Sequence, residues 1–173
     1  MRPTAVKVLA LLRTIVVASL FVALQVWFLP RWFGIPADRN APWRQPLRLA
    51  GLLPVALGAA VMLACVWRFG AQGEGTPFPL DPPRRLVIRG PYRWVRNPMY
   101  WGMGLFLLGE AVLFAEASVR LLPYGAALVL IVNLFVRLYE EPTLRRTFGA
   151  DYESYCGAVP RWFPRLRKAG ATR

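Results

Sequence analysis

RNPMYWGMGLFLLGEAVLFA, residues 96–115, passes from two polar residues and a proline into an apolar run that a single acid, Glu110, interrupts. About 20 mainly apolar residues is the length that crosses a bilayer as an α-helix. Pro98 suits the first turn of such a helix, where no backbone N–H is needed, and it keeps the backbone before it extended. A second apolar run, 121–139, follows after a short connection near Ser118, so the pair predicts an antiparallel helical hairpin. Two further runs, 8–29 and 49–67, precede it. The expected fold is an all-α integral membrane bundle of four transmembrane helices in a single domain. Its spans are 8–29, 49–67, 99–117 and 121–139, with a loop over 70–98 and a short helical tail within 140–173. The first run is read as a retained helix. Arg13 interrupts it, and no small-residue cleavage site of the kind a signal peptide carries precedes Trp27-Phe28-Leu29-Pro30.

The composition agrees with a chain partly dissolved in lipid. Of 173 residues 56% are hydrophobic, and the charges cluster between the apolar runs; both features count against a soluble α/β enzyme. There is no histidine, which removes His-based triads, His-ligated metals and imidazole bases. Catalysis has to run on Arg, Glu, Asp, Tyr or Cys. Cys65 lies in an apolar run and Cys156 in the polar tail, too few and too far apart for a metal site or a disulfide framework, so no metal is expected.

Lys and Arg number 22 against 9 acids, a net charge of +13. The amino terminus, the segment 70–97 and the tail place most of this charge on one side of a four-helix topology, which the positive-inside rule makes cytoplasmic. Arg31, Arg39, Arg44 and Arg48 in the opposing loop weaken the bias without reversing it. Such a basic edge suits anionic lipid headgroups. Membrane lipids are therefore the expected partner. Nucleic acid is not, since the charge sits at membrane edges with no binding module around it. The location expected is a membrane of the bacterial inner type, with the polar site facing the cytoplasm.

Several features read as packing. Gly51 and Gly58, then Gly102 and Gly109, are spaced seven apart, one face of each helix, where small residues let helices approach closely. Arg13 and Gln25 are read as snorkelling or bonding a neighbour's backbone. Glu110 lies about 16 Å along its helix from Met99, near mid-bilayer. The Gly- and Pro-rich loop 70–98 favours turns and extended backbone, and a loop of that length is more often functional than idle. In the tail, Phe148, Tyr152 and Tyr155 are expected to face the bilayer, with Gly149 breaking the helix.

Two polar clusters meet one membrane edge. Gly90-Pro91-Tyr92-Arg93-Trp94-Val95-Arg96-Asn97-Pro98-Met99-Tyr100 enters the third span, and Glu140-Glu141 leaves the fourth. A helical hairpin sets them side by side at the same depth, so they can form one pocket. Asn133, Arg137 and Glu141, at i, i+4 and i+8, add a polar stripe to the fourth helix, which within a membrane should face protein or a water-filled cavity. An interfacial Arg137–Glu141 ion pair is the simpler reading of the same residues.

With Thr76-Pro77, Pro79, Leu86-Val87, Leu144, Phe148-Gly149, Tyr152, Tyr155 and Val159-Pro160-Arg161, these clusters resemble the integral-membrane methyltransferase superfamily. Its members include isoprenylcysteine carboxyl methyltransferases and phospholipid N-methyltransferases. The resemblance covers about the last hundred residues. The family's Arg-His-Pro-x-Tyr element stands here as Arg96-Asn97-Pro98-Met99-Tyr100, and Asn97 cannot titrate as a histidine would.

The resemblance implies an S-adenosylmethionine cofactor and a lipid-like or lipid-attached methyl acceptor. The cofactor-binding set it implies is Tyr92, Arg96, Asn97, Pro98, Tyr100, Gly102, Arg137, Glu140 and Glu141. Glu140 and Glu141 suit an ammonium and hydroxyls, and Arg96 suits a carboxylate. Tyr92, Tyr100 or Trp94 can face a sulfonium or an adenine, and Gly102 leaves room for a ligand. Methyl transfer needs positioning and exclusion of water more than acid–base work. For a carboxylate acceptor Arg145 or Arg146 is the orienting residue; an amine or alcohol would need a proton sink such as Glu141 or Glu110. The basic tail, with Trp162 and Phe163, is expected to lie over the cofactor. The alternatives are a sterol-type membrane reductase using a nicotinamide cofactor, which shares a similar Arg-x-Pro-x-Tyr element, and a non-catalytic lipid-binding scaffold.

Overall fold

The computed structural model describes residues 45–69, 85–114 and 118–165, with isolated positions between 12 and 32 that include the helical turn Leu29–Trp32. Most of the first span, the loop from 70 to 84 and the basic end from 166 onward lie outside the described residues. A 3-10 turn, Pro46–Gly51, leads into α1, Leu52–Arg68. After an extended stretch and a second 3-10 turn, Gly90–Arg93, comes α2, Pro98–Leu113. The third helix, α3, covers Ser118–Phe135 and runs through a π-helical turn, Val136–Glu140, into α4, Glu141–Ala158.

Among the described residues the fold is all-α, as expected. The helical runs Pro46–Arg68 and Pro123–Ala158 are long and apolar enough to cross a membrane, and α2 is apolar but shorter. Large apolar side chains such as Leu53, Leu63, Val129, Leu130 and Leu138 point outward, a surface that fits lipid better than water. α2 ends at Leu113, where Phe114 donates to the Glu110 carbonyl at 2.8 Å, a few residues short of the expected boundary. Glu110 itself is half-buried.

α3 packs on α2 as the expected hairpin has it, and the most extensive helix pairing joins α1 to α2. The glycines explain it. A Cβ on Gly58 would lie 2.5 Å from the Gly102 carbonyl oxygen, and one on Gly109 would lie 2.6 Å from that of Gly51. Lipid tails are as apolar as leucine, so helices in a bilayer associate through this kind of close backbone contact. α3 joins through a smaller core of Met62, Met103, Leu107 and Leu128, flanked by Tyr100, Phe106, Tyr124 and Val132.

The stretch before α2 is tied under the end of α1 by Cys65, Val87 and Tyr92, with Phe69 and Met99 against them. Gly90 makes that approach possible with φ +66°, a left-handed conformation that costs a residue with a Cβ. In the tail, Gly149 (φ 51°, ψ −125°) kinks α4, as its sequence suggests. The bilayer-facing assignment of Tyr152 and Tyr155 is corrected. Tyr152 is 2% exposed, and the Tyr155 hydroxyl donates to the Tyr92 carbonyl at 2.6 Å. Both rings hold α4 against the loop that precedes α2.

Candidate functional site

Three pieces of chain meet where α2 begins and α3 passes into α4. Asn97 caps α2 with non-helical φ/ψ (−123°, 54°), and Pro98 opens the helix, placing Arg96 and Tyr100 on either side of the start. The π turn delivers Glu140 and Glu141. After α4 the chain continues as a bent strap, residues 159–163, that contacts both.

Glu141 is the centre. Its side chain is 3% exposed, and Arg161 grips it with two bonds, Nε to Oε1 and Nη2 to Oε2, both 2.7 Å. Arg96 approaches from the other side, Nη2 to Oε1 at 3.3 Å. Burial alone would push the Glu141 carboxyl up, but the Arg161 hydrogen bond and the charges of Arg96 and Arg161 outweigh it and hold the group below its ordinary value. Glu141 lies beyond the apolar run 121–139, and both of its oxygens are engaged by guanidinium groups.

Arg96 has further partners. Its Nη1 donates to the Cys156 sulfur, and its backbone N–H donates to the Pro160 carbonyl at 2.9 Å. Its Nε is buried with no acceptor. Glu140 differs from Glu141. Among the described residues its carboxylate meets only the Tyr100 hydroxyl, which donates to Oε2 at 3.1 Å.

The strap is laced down at successive residues. Asn97 Nδ2 donates to the Arg161 carbonyl at 3.2 Å, and the Trp101 indole N–H donates to the Trp162 carbonyl at 2.7 Å. The Trp162 indole N–H donates to Asn133 Oδ1 at 3.3 Å, while its ring tilts against Tyr100 with centroids 6.2 Å apart. Trp101 meets Phe163 edge-on at 5.6 Å.

The structure thus brings together Arg96, Asn97, Pro98, Tyr100, Glu140 and Glu141. Of the other predicted residues, Tyr92 and Arg145 lie near enough to feel the charges of Glu140 and Glu141, and the rest stand apart. Tyr92 is buried among Cys65 and Val87, and Trp94 is exposed with Arg93 over its ring. Gly102 has its open side filled by Met62 and the Gly58 carbonyl, so the space its missing side chain leaves goes to α1 and not to a ligand. Arg146 is exposed, and exposed Arg145 pairs with Glu153 at 2.7 Å, one turn beyond Glu141.

Arg137 is exposed while Asn133 is half-buried and Glu141 buried, so the three do not form one stripe. The π turn is the reason. An i→i+5 turn inserts roughly one residue into the helix, so Glu141 takes the place that an unbroken helix gives to i+7 of Asn133, about two whole turns on. Asn133 and Glu141 then share a face, which the strap covers through Trp162 and Arg161. Arg137, inside the widened turn, is swung outward. Sequence reasoning missed Arg161 as a ligand of Glu141, Trp162 as a partner of Asn133, and Cys156 beside Arg96. The signal available was the run Val159-Pro160-Arg161-Trp162, where a proline stops the helix and an arginine and an aromatic follow at once.

Residues 47–151 match the phospholipid methyltransferase family. The matched part takes in α1, α2, α3 and both carboxylates; the strap lies beyond it. Human (Homo sapiens) phosphatidylethanolamine N-methyltransferase is 35% identical over 94 residues, which are 53% of this chain and 45% of that protein. The chain thus matches somewhat under half the length of that relative. No solved structure matches it. With well over half of its residues inside the family match, and with them the start of α2 and the Glu140-Glu141 pair, the chain belongs to the phospholipid methyltransferase family.

Proposed function

We propose that the protein is an integral membrane methyltransferase that uses S-adenosylmethionine to methylate the headgroup amine of an ethanolamine-type phospholipid. The observation that carries this reading is the meeting of Arg96 with Glu141 and of Tyr100 with Glu140 at the end of two apolar helices, inside the family match. Of the acceptor classes left open by the sequence, the amine is supported by the phospholipid family and by the activity named for the human relative.

The residues fit the cofactor's methionine end. Arg96 Nε is a buried donor that lacks an acceptor, and a carboxylate supplies one. Arg96 and Arg161 together exceed Glu141 by one positive charge, which favours an added anion there. The cofactor, when bound, supplies a methyl group on a sulfonium, already electrophilic without acid catalysis.

The protein's part is to place the acceptor nitrogen in line with that methyl and to keep water out. Methylation would leave a surplus N–H proton on the acceptor amine, which a side chain of the protein has to take. Glu140 is the carboxylate for it, since among the described residues no guanidinium holds it. Carboxylate orientation by Arg145 or Arg146 has no place in an amine reaction, and both point outward. The acceptor enters from the bilayer between the helices, its headgroup at the level of the strap aromatics.

Incubating the purified protein in phosphatidylethanolamine liposomes with methyl-labelled S-adenosylmethionine should move label into lipid. Glu140→Gln should lower the rate by about 10²-fold or more, the usual size of a general-base contribution. Lipid that stays unlabelled while the cofactor binds would rule the reading out; the reductase alternative predicts binding of NADPH in place of S-adenosylmethionine, and the scaffold alternative predicts binding of neither.

The four-span topology with its basic edge inside the cytoplasm belongs to the same proposal. A cysteine placed at Gly75 should react with an impermeant reagent only after the membrane is opened, above the background of Cys65 and Cys156. Reaction in intact cells would invert the orientation.

A further inference from the structure

The strap contributes an aromatic residue to the site, one to which the cofactor reading gives no role beyond cover. Trp162 is fixed at two points, by its indole N–H on Asn133 Oδ1 (3.3 Å) and by its carbonyl under the Trp101 indole (2.7 Å). Its ring and that of Tyr100 stand 6.2 Å apart with their planes 58° from each other, the two walls of a corner. At the Tyr100 hydroxyl, 3.1 Å away, sits the Glu140 carboxylate. All three side chains are half-buried, so the corner is formed yet open.

Two aromatic faces and a carboxylate are what alkylated ammonium ions bind. The negative ring faces attract the cation, and the methyl groups lose little by leaving water. The hydrogen bond from Tyr100 to a carboxylate makes its ring richer in electrons. Local charge agrees, because a cofactor carboxylate beside Arg96 and Arg161 makes their cluster with Glu141 neutral and leaves Glu140 to face the incoming cation.

Both cofactor and acceptor carry a cation, and position chooses between them. Trp162 bridges α2 and α3 beside Trp101, which is 40% exposed, and Phe163, which is 71% exposed. Amphipathic and aromatic rings of this kind mark the headgroup level of a membrane, where a lipid amine lies.

We infer that Tyr100, Trp162 and Glu140 form a headgroup cage that binds the amine of the phospholipid acceptor and prefers it more with each methyl added. This rests on the proposed acceptor class for its chemistry, although the binding itself needs no turnover. A primary amine is strongly hydrated and gains least from two ring faces; a trimethylated one gains most. The cage thereby favours the later methylations and makes the fully methylated lipid the tightest ligand.

The test uses the full-length protein in detergent and two short-chain lipids identical except at the headgroup, one carrying choline and the other its uncharged carbon isostere, 3,3-dimethylbutyl. Calorimetry on the parent protein should show about tenfold tighter binding of the choline lipid, the size of a partly desolvated cation–π contact. Trp162→Ala and Glu140→Gln should each reduce that preference to within about twofold, while Trp162→Phe retains most of it. S-adenosylmethionine affinity should be the same in Trp162→Ala as in the parent. Equal binding of the two lipids by the parent overturns the cage. So does a preference that survives Trp162→Ala, or a loss of S-adenosylmethionine affinity in that variant with headgroup preference intact, since the corner would then serve the cofactor. Choline preference without any methyl transfer would sink the enzymatic reading and leave the cage standing; transfer without the preference would do the reverse.

Discussion

Replacing Glu141 by alanine should destabilise the detergent-solubilised protein by about 3–5 kcal/mol, the cost of leaving buried charges unpaired. Two guanidiniums converge on this carboxylate, and the Arg96 and Arg161 side chains are 11% and 26% exposed. Without Glu141 they face each other with little water to screen them. The strap should then loosen at Arg161, which among the described residues keeps only the bond of its backbone carbonyl to Asn97, while Pro160 and Trp162 stay tied on either side. Denaturant unfolding followed by circular dichroism reads the first effect. Trypsin cleavage at Arg161, resisted by the parent and rapid in the variant, reads the second. Adding Arg161→Met to Glu141→Ala should recover part of the stability, because one of the stranded charges is gone. A single variant as stable and as trypsin-resistant as the parent would show that the triad holds nothing.

The second large effect belongs to the glycine seam. Gly58→Leu sets a Cβ 2.5 Å from the Gly102 carbonyl oxygen and 2.7 Å from the Phe106 nitrogen. Both are backbone atoms, so no rotamer change relieves the clash and α1 must move bodily away from α2. The expected loss is about 3 kcal/mol, the upper part of the usual range for overpacking. S-adenosylmethionine binding should fall with it, because α1 holds the start of α2 in place through Cys65 and Tyr92. Gly125→Ala is the control: nothing lies within 4 Å of a Cβ there, and a helix favours alanine over glycine. Thermal unfolding of the two variants should separate them clearly; equal melting points would mean that the helices do not depend on the seam.

The seam was legible from spacing alone because a heptad step returns to the same helix face whatever surrounds it. Glu140 and Glu141 were legible for a related reason, as charges at the end of an apolar run. What the sequence concealed is non-local. No residue type signals a π turn, so Arg137 seemed to share a face with Asn133 and Glu141 when the extra residue turns it outward. The same blindness assigned Tyr152 and Tyr155 to lipid, since an amphipathic tail has no way of showing which neighbour its aromatics will meet. Gly102 satisfied two readings at once, and only the position of α1 decided between them.

Arg161 follows Glu141 by twenty positions in the chain. At the roughly 5–20 residues per second of ribosomal synthesis, the carboxylate exists for about 1–4 s before its second cation has been made. The ribosomal exit tunnel shelters more residues than those twenty, so Glu141 is still inside it when Arg161 is made, while α1 and α2 are already free to pack along their glycine seam. The strap therefore fastens after those helices have met, and protease access at Arg161 distinguishes an unfastened molecule from a fastened one.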